Sequence, residues 1–288
     1  MNKKTIALID SPYNEKYQKI IKNQGHNSIL FDAYNEDNWI ANMKKMEKKA
    51  DVYYWQSGDR GHYYREWILD KVYFIEKYSA KKIFPDYNQY FTFNDKTKQH
   101  YLFQKYDIPT PKTFYTKDKS KALDFIKKTS YPFVLKDPHS ASGYGVYLLK
   151  NKKEAAEMIE KIFSPEGFNS LYSQFYAQKF IPDLEKSLRV ITIGNKVYCA
   201  YYRINPDDWK INLGPKTSIS DKNIPKQALK LAESISKKLN YHWMAYDILE
   251  YKKKYYVIEY SCNFGVTGAE ALGYDPLGEL IKYTLKKI

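Results

Sequence analysis

The sequence predicts an α/β protein in which a small parallel-sheet domain precedes a larger α+β region. The first ninety residues alternate short apolar runs with helix-like stretches, a pattern typical of strand–helix–strand units on a parallel sheet. Farther along, apolar runs occur in pairs joined by short turns, which indicates antiparallel hairpins. A chain of 288 residues is long enough for about two domains of ordinary size.

The first predicted domain covers residues 1–92. Gly25 closes its first helix, as glycine commonly does at a helix end. The domain contains no GxGxxG fingerprint, so hydride transfer with a dinucleotide has no support. The predicted elements are strands at 5–9, 28–31 and 52–55 and helices at 13–23 and 37–48.

The second predicted unit covers residues 93–175 and carries a flap. Its central loop, from Ser140 to Gly145, is rich in small residues and joins two apolar runs. Two antiparallel strands hinged by such a loop form a flap over whatever lies below them. The predicted elements are helices beginning at 94 or 95 and at 120–128 and 152–162, with strands at 131–136 and 146–149.

The third predicted unit covers residues 176–288. Gly194-Asn195 is a two-residue turn signal between apolar runs, and Pro225 marks the first turn of an amphipathic helix. The lysine run 252–254 is predicted to be a three-residue hairpin loop. The predicted strands are 176–181, 189–193, 196–204, 243–251 and 255–260.

Composition excludes several classes of protein. With 43% hydrophobic residues and only two cysteines, the chain is neither disordered nor a disulfide scaffold. The longest apolar run is too short for a membrane span, so we expect a cytoplasmic protein without a membrane partner. The net charge of +14 attracts anions, but the lysines are scattered, so nucleic acid is not the expected partner.

The last predicted hairpin brings two carboxylates together. If the loop has three residues, Asp247 lies directly opposite Glu259, and like charges in that position destabilise a sheet. A divalent cation between them would relieve the repulsion, and oxygen ligands suit Mg²⁺. A lysine reaching in, or a solvated face, would relieve it equally well. A loop shorter by one residue would separate the pair.

Lys136 ends an apolar strand, and Gly143 and Gly145 follow within ten residues. A lysine beside a glycine-containing loop can hold phosphate, because bare backbone N–H groups approach the oxygens and the ammonium adds a point charge. A flexible loop with a surface lysine has the same pattern.

These motifs, taken in order, resemble the ATP-grasp superfamily, and most of all its ribosomal-protein glutamate ligase branch. The resemblance covers residues from about 90 to 288. The preceding domain fits the small α/β domain usually found ahead of an ATP-grasp fold. The matching segments are Asp95-Lys96, 108–111, 132–136, 143–146, 178–181, Asp247 and Glu259.

The resemblance implies a nucleotide site. Lys96 and Lys136 match the lysines that contact ATP phosphates, and the flap resembles the lid over them. Asp183 or Glu185 falls where a ribose ligand is expected. The other implied ATP-binding residues are Ser142, Gly143 and Gly145 of the flap and Gln178, Lys179, Phe180 and Ile181 of the adenine-binding hinge.

The resemblance also implies substrate and metal residues. Arg203 and Asn212 would hold the substrate or the transferring phosphate. Arg189 matches as well, but pairing across a two-residue turn predicts that it lies on the opposite face from Arg203. Three positions depart from the family pattern: Ser261 replaces an Asn, Lys179 a Glu and Ser187 an Asp. The implied metal ligands are Asp247 and Glu259, with Ser261 or Asn263 as an open alternative.

The implied activity is ATP-dependent ligation of a carboxylate to an amine through an acyl phosphate, with release of ADP. Lys136 and Arg203 are the implied catalytic residues, and one or two Mg²⁺ ions, or Mn²⁺ in their place, the implied cofactor. An acidic peptide or a uronic-acid glycan is a hypothesis for the acceptor. The sequence does not decide whether the chain forms a homo-oligomer. The alternatives are a non-catalytic nucleotide-binding module and a basic RNA-binding protein.

Overall fold

The computed structural model describes residues 2–9, 14–35, 37–56, 62–93, 95–140, 143–164, 174–211, 214 and 216–288. Within these ranges the strands form three sheets. One is a parallel sheet near the N-terminus, and the other two contain antiparallel pairs and lie farther along the chain. None of the described helices combines the length and the apolar composition needed to cross a membrane.

The N-terminal sheet is parallel throughout, with the order β2-β1-β3-β4. The prediction of a parallel-sheet domain is therefore confirmed. Sequence patterns missed α3 because Tyr73, Phe74 and Tyr78 are large, exposed and aromatic, which blurs any apolar stripe. The elements are β1 (Thr5–Ile9), α1 (Asn14–Asn23), β2 (Asn27–Phe31), α2 (Trp39–Lys49), β3 (Val52–Trp55), α3 (His62–Tyr78) and β4 (Ile83–Phe84).

The second sheet carries the flap and has the order β5-β8-β6-β7. Side-chain caps fix where its helices begin: Asp95, Asp118 and Asn151 each accept a hydrogen bond from a backbone N–H of the following turn. The elements are α4 (Tyr87–Phe93), α5 (Lys96–Lys105), β5 (Thr113–Thr116), α6 (Lys119–Lys128), β6 (Phe133–Lys136), β7 (Val146–Leu149), α7 (Lys152–Phe163) and β8 (Phe175–Lys179).

The third sheet has the order β11-β10-β9-β12-β13, and α8 packs against it through Ala228, Ala232 and Ile235. Because β8 pairs with the flap sheet, the predicted boundary at 175 falls at the start of a strand of that sheet, and the domain limits stay a prediction. The elements are β9 (Lys186–Ile193), β10 (Lys196–Ile204), β11 (Ser218–Ser220), α8 (Lys226–Leu239), β12 (Trp243–Tyr251), β13 (Lys254–Ser261), α9 (Thr267–Glu270) and α10 (Pro276–Lys286).

Among the residues that the structure describes, two hydrophobic cores hold these layers together. The first joins the N-terminal sheet to the third sheet, where the rings of Tyr54 and Trp243 stack with centroids 5.8 Å apart. The second lies inside the flap-bearing unit and includes Phe133 and Phe175. The flap unit therefore has a core of its own and faces the third sheet across a cleft.

The hairpin of β12 and β13 differs from the prediction at its turn and agrees with it at the carboxylates. The loop has two residues, Lys252 and Lys253, both at positive φ, so Tyr251 pairs with Lys254. The predicted three-residue loop was wrong. A β-bulge then inserts one extra residue in β13, which shifts the register back by one. As a result Asp247 lies directly opposite Glu259, as predicted.

A second bulge corrects the predicted position of Arg189. The turn at Gly194-Asn195 is present, with both residues at positive φ. A register shift in β10 just after this turn makes Arg203 pair with Ser187. Arg189 is two residues from Ser187, so it lies on the same face of the sheet as Arg203. The prediction of opposite faces was wrong because it assumed an uninterrupted ladder.

Candidate active site

A cleft lies between the flap sheet and the third sheet, with an empty volume of about 860 Å³ that is partly open to solvent. The strand ends, the flap and the hinge after β8 converge on it. The predicted site residues in its lining are Lys96, Lys136, Gly143, Gln178, Lys179, Phe180, Ile181, Arg203, Asp247 and Glu259.

Several other predicted residues lie outside this lining. Gly145 shapes the base of the flap: its φ is +64°, a Cβ there would lie 2.7 Å from the Cβ of Asp137, and its carbonyl accepts a bond from the Asp137 N–H. Asp183 and Glu185 are exposed beyond the hinge. Ser142 and Asn212 fall outside the described residues, as does Asn94, one of the two predicted helix starts.

Lys136 is buried at the end of β6 and points into the cleft. Its ammonium donates to Oε1 of Gln178 at 2.8 Å, and the Gln178 amide donates to Thr113 Oγ1 at 3.2 Å. Burial lowers the pKa of Lys136 to about 8, against the opposing effect of Glu259. In the described part of the chain no carboxylate lies within ion-pair distance of this ammonium, so an anion in the cleft would stabilise its charge.

Two further lysines hold the flap from different sides. Lys96, the first residue of α5, donates through Nζ to the carbonyl of Ser140, and the same Nζ lies 3.8 Å from Glu259 Oε2. Lys210, in the connection after β10, donates to the carbonyl of Gly143 at 3.3 Å. The flap is thus tied both to its own unit and to the third sheet.

Asp247 is clamped by the two arginines that the β10 bulge brings to one face. Its Oδ1 lies 2.7 Å from Arg189 Nε and 2.8 Å from Arg203 Nη2, while Arg189 Nη2 donates to Oδ2 at 3.2 Å. Burial alone would raise the pKa of Asp247, but the two guanidinium groups outweigh burial and hold it below its usual value. Asp247 is therefore ionised at neutral pH.

The two facing carboxylates suit Mg²⁺ by their chemistry, because both offer the oxygen ligands that this ion prefers. Within the described ranges, no group of three or more His, Cys, Asp or Glu side chains could hold a metal, so other ligands would have to complete the shell. Ser261 is already bonded to the backbone of Asn263, donating to its carbonyl and accepting from its N–H. Neither residue lines the cleft, and the second metal position stays a prediction.

Sequence reasoning missed the apolar surface of the cleft and one of its cations. Val134 and Leu249 lie two residues from Lys136 and Asp247 on the same strands, so strand periodicity could have found them. Trp209 and Lys210 lie in a connection without periodicity, where no sequence signal marked them. The Trp209 ring packs edge-on against Phe180 of the hinge, with centroids 6.0 Å apart.

The described lining holds more cations than anions: Lys96, Lys136, Lys179, Arg203 and Lys210 face only two carboxylates. A multiply charged anion such as a triphosphate fits this excess.

A glycine-containing flap, two lysines and a carboxylate pair between two sheets define a protein of the ATP-grasp class. Residues 93–284 match the RimK-like ATP-grasp domain, and the chain belongs to that family.

Curated relatives match over part of the chain. The alpha-aminoadipate–LysW ligase LysX of Saccharolobus solfataricus is 27% identical over 160 residues, which are 55% of this chain and 57% of that protein. The coenzyme gamma-F420-2:alpha-L-glutamate ligase of Methanocaldococcus jannaschii is 28% identical over 188 residues, 63% of this chain and 62% of the relative. The matches thus span less than two thirds of these relatives.

Solved structures show the same fold over the full length. The ATP-grasp ligase PsnB, complexed with a minimal precursor, has a TM-score of 0.72 at 15% identity and covers 100% of both chains. The D-alanine–D-alanine ligase from Bacillus anthracis, complexed with ATP, has a TM-score of 0.67 at 14% identity and covers 98% of this chain and 96% of its own. The predicted ATP-grasp fold preceded by a small α/β domain is confirmed.

Proposed function

We propose that the protein is an ADP-forming ligase that joins a carboxylate to an amine at the expense of ATP. The observation that carries this proposal is the convergence of Lys96, Lys136 and Arg203 on the Asp247–Glu259 pair in one cleft. Phosphoryl transfer depends on alignment and charge neutralisation more than on a protein nucleophile. The named activities of the relatives, all ligases, support the same reaction.

In this proposal ATP lies with its base against the hinge at 178–181 and its phosphates under the flap. Val134 and Leu249 supply an apolar surface for the base, and backbone groups of the hinge supply its hydrogen bonds. Lys96 and Lys136 neutralise the phosphate oxygens. The hydrogen bond from Lys210 to the flap would help to close the cleft over bound nucleotide, which would keep water from the reactive acyl phosphate.

Arg203 stabilises the negative charge that develops when the substrate carboxylate attacks the γ-phosphoryl group and when the amine then attacks the acyl carbon. Mg²⁺, or Mn²⁺ in its place, would be held by Asp247 and Glu259 and would neutralise phosphate charge. In this structure, Arg203 Nη2 lies 2.8 Å from Asp247 Oδ1, and Ser187 accepts a hydrogen bond from Arg203 Nε at 3.2 Å.

We propose an acidic amino acid as the amine substrate. The names of the relatives include alpha-aminoadipate in one case and L-glutamate in another. The excess of cations in the cleft supports a substrate of this charge. An acidic peptide or a uronic-acid glycan is our proposal for the acceptor, supported by the net charge of +14.

We also propose that the protein works in the cytoplasm. Its two cysteines, Cys199 and Cys262, are both free and buried, which suits a reducing compartment.

The test is mass spectrometry of the products formed with Mg-ATP, a panel of carboxylic acids and a panel of amino acids. A ligase yields ADP, phosphate and a product whose mass equals acid plus amine less water. The matched control is Glu259→Gln, which keeps the side-chain shape and removes one negative charge from the cation site, and it should abolish the product. If Mg-ATP binds but no acid–amine pair gives ADP, the protein is a nucleotide-binding module and the ligase proposal is wrong.

A further inference from the structure

Two guanidinium groups contact the single carboxylate of Asp247. Arg189 contacts both of its oxygens, with Nε 2.7 Å from Oδ1 and Nη2 3.2 Å from Oδ2. Arg203 adds a third contact, with Nη2 2.8 Å from the same Oδ1. The Asp247 side chain is only 7% exposed, so solvent screens these charges poorly. Two guanidinium groups outnumber the one carboxylate that they contact, and Glu259, directly opposite Asp247, offsets this excess from beyond ion-pair distance.

Ser187, an uncharged side chain, is the other partner of Arg203. It lies directly across from Arg203 in the ladder of β9 and β10 and is buried. Its hydroxyl accepts a hydrogen bond from Arg203 Nε at 3.2 Å, which fixes the direction of the guanidinium without adding charge. Among the described residues, Asp247 is the only carboxylate within ion-pair distance of either arginine.

A divalent cation held between Asp247 and Glu259 would compete with these arginines for carboxylate oxygens. Arg189 is held at two atoms and does not line the cleft, so it can stay. Arg203 touches Asp247 at one atom and does line the cleft, so it has room to turn away. Repulsion between a cation and a guanidinium on one oxygen is strong at a site of low dielectric constant.

We infer that Arg203 is an exchangeable partner of Asp247. It balances the carboxylate while the cleft holds no cation, and it turns into the cleft, pivoting on Ser187, when Asp247 accepts one. The inference rests on the proposed function, since it uses Asp247 as a cation ligand. Ser187 is then a positioning residue, because it keeps its bond to Nε while Nη2 is released. Arg203 becomes available to an anionic substrate only after the cation has bound.

The test is the affinity of the full chain for Mn²⁺, measured by the paramagnetic resonance signal of the free ion with and without ADP. Removing Arg203 with Arg203→Met should tighten Mn²⁺ binding by about tenfold or more, which corresponds to the lower end of the coupling of close charge pairs. Lys210→Met is the matched control: it removes an equal charge from the same cleft, but its ammonium bonds to a carbonyl. Lys210→Met should change the affinity for Mn²⁺ by less than about threefold, because a charge that does not contact the carboxylate is better screened.

Ser187→Asp gives an independent test that keeps both arginines. The new carboxylate next to Arg203 Nε should pair with the guanidinium and release it from Asp247, so the affinity for Mn²⁺ should rise. The neutral variant Ser187→Asn should leave that affinity unchanged. In the double variant with Arg203→Met, competition predicts that the two effects do not add, while a general field effect predicts that they do. If Arg203→Met does not fold, as judged by thermal unfolding, Arg203→Gln replaces it in the single and the double variant.

The outcomes separate this inference from the proposed function. Equal effects of Arg203→Met and Lys210→Met, or equal effects of the two Ser187 variants, overturn the exchange. Asp247→Asn and Glu259→Gln test the cation site itself, and each should weaken Mn²⁺ binding by about tenfold or more. If neither does, the carboxylate pair is not a cation site, and the metal part of the proposed function fails with the inference.

Discussion

Replacing Lys136 by methionine should stabilise the fold at neutral pH and abolish ATP binding. The lysine is buried, and its pKa of about 8 lies about 2.5 units below the ordinary value of 10.5. At 1.36 kcal/mol per unit, burying its charge costs the native state about 3 kcal/mol at pH 7. The substitution also removes the donor to Gln178 Oε1, which costs about 1–2 kcal/mol. The expected net gain in the free energy of unfolding is about 1–2 kcal/mol.

The stability difference between the two proteins should depend on pH, in a direction set by the lowered pKa of Lys136. Native Lys136 releases its proton near pH 8, whereas the unfolded chain keeps it to about pH 10.5. Between these values the unfolded state binds more protons, so the native sequence gains stability as the pH rises. The methionine variant lacks this gain. Its advantage at pH 7 should therefore shrink by about 2 kcal/mol at pH 9.5 and vanish or reverse.

The assay is urea unfolding of both proteins at pH 7 and pH 9.5, with and without Mg-ATP. Added nucleotide should stabilise the native sequence and leave the variant unchanged, because ligand binding to the native state adds to stability. The reasoning would be refuted if Lys136→Met were less stable at pH 7 and the difference between the two proteins did not change with pH.

Three further predictions concern backbone geometry and capping. Gly145→Ala should lower the free energy of unfolding by about 1–3 kcal/mol, because φ is +64° and the new Cβ would lie 2.7 Å from a side-chain carbon. Gly265→Ala, with nothing within 4 Å, is its control and should change stability by less than about 0.5 kcal/mol; thermal unfolding of both decides. Replacing Lys252-Lys253 by Asn-Gly should add about 1 kcal/mol in urea unfolding, since both positions have positive φ, and an unchanged midpoint would contradict it. Asp118→Ala removes the acceptor for two N–H groups at the start of α6 and should lower the free energy of urea unfolding by about 1 kcal/mol. An unchanged free energy would show that the cap does not stabilise the fold.

Local signals were enough for most of the elements that build the site. Asp95 caps α5 where a helix start was predicted, and the runs at 5–9, 52–55, 146–149, 196–204 and 243–251 are strands with the predicted limits. Apolar periodicity and turn chemistry act over a few residues, so a single chain displays them directly. The ordered motifs were likewise sufficient for the ATP-grasp fold.

Local sequence patterns could not predict contacts between segments that are distant in the chain. Trp209 and Lys210 reach the hinge and the flap from an irregular connection, and no period placed them there. Short β4 and β11, of two and three residues, carry too few positions for an alternation to stand out.

The sequence by itself determined the element types, the turn at Gly194-Asn195 and the chemical identity of the lysines and carboxylates. Only the tertiary structure decided which side chains share a face. One bulge in β13 preserved the opposition of Asp247 and Glu259 despite a shorter loop, and another in β10 moved Arg189 onto the face of Arg203. Strand periodicity is two, so a single inserted residue reverses every later side chain, and the packing that fixes such an insertion comes from neighbouring strands.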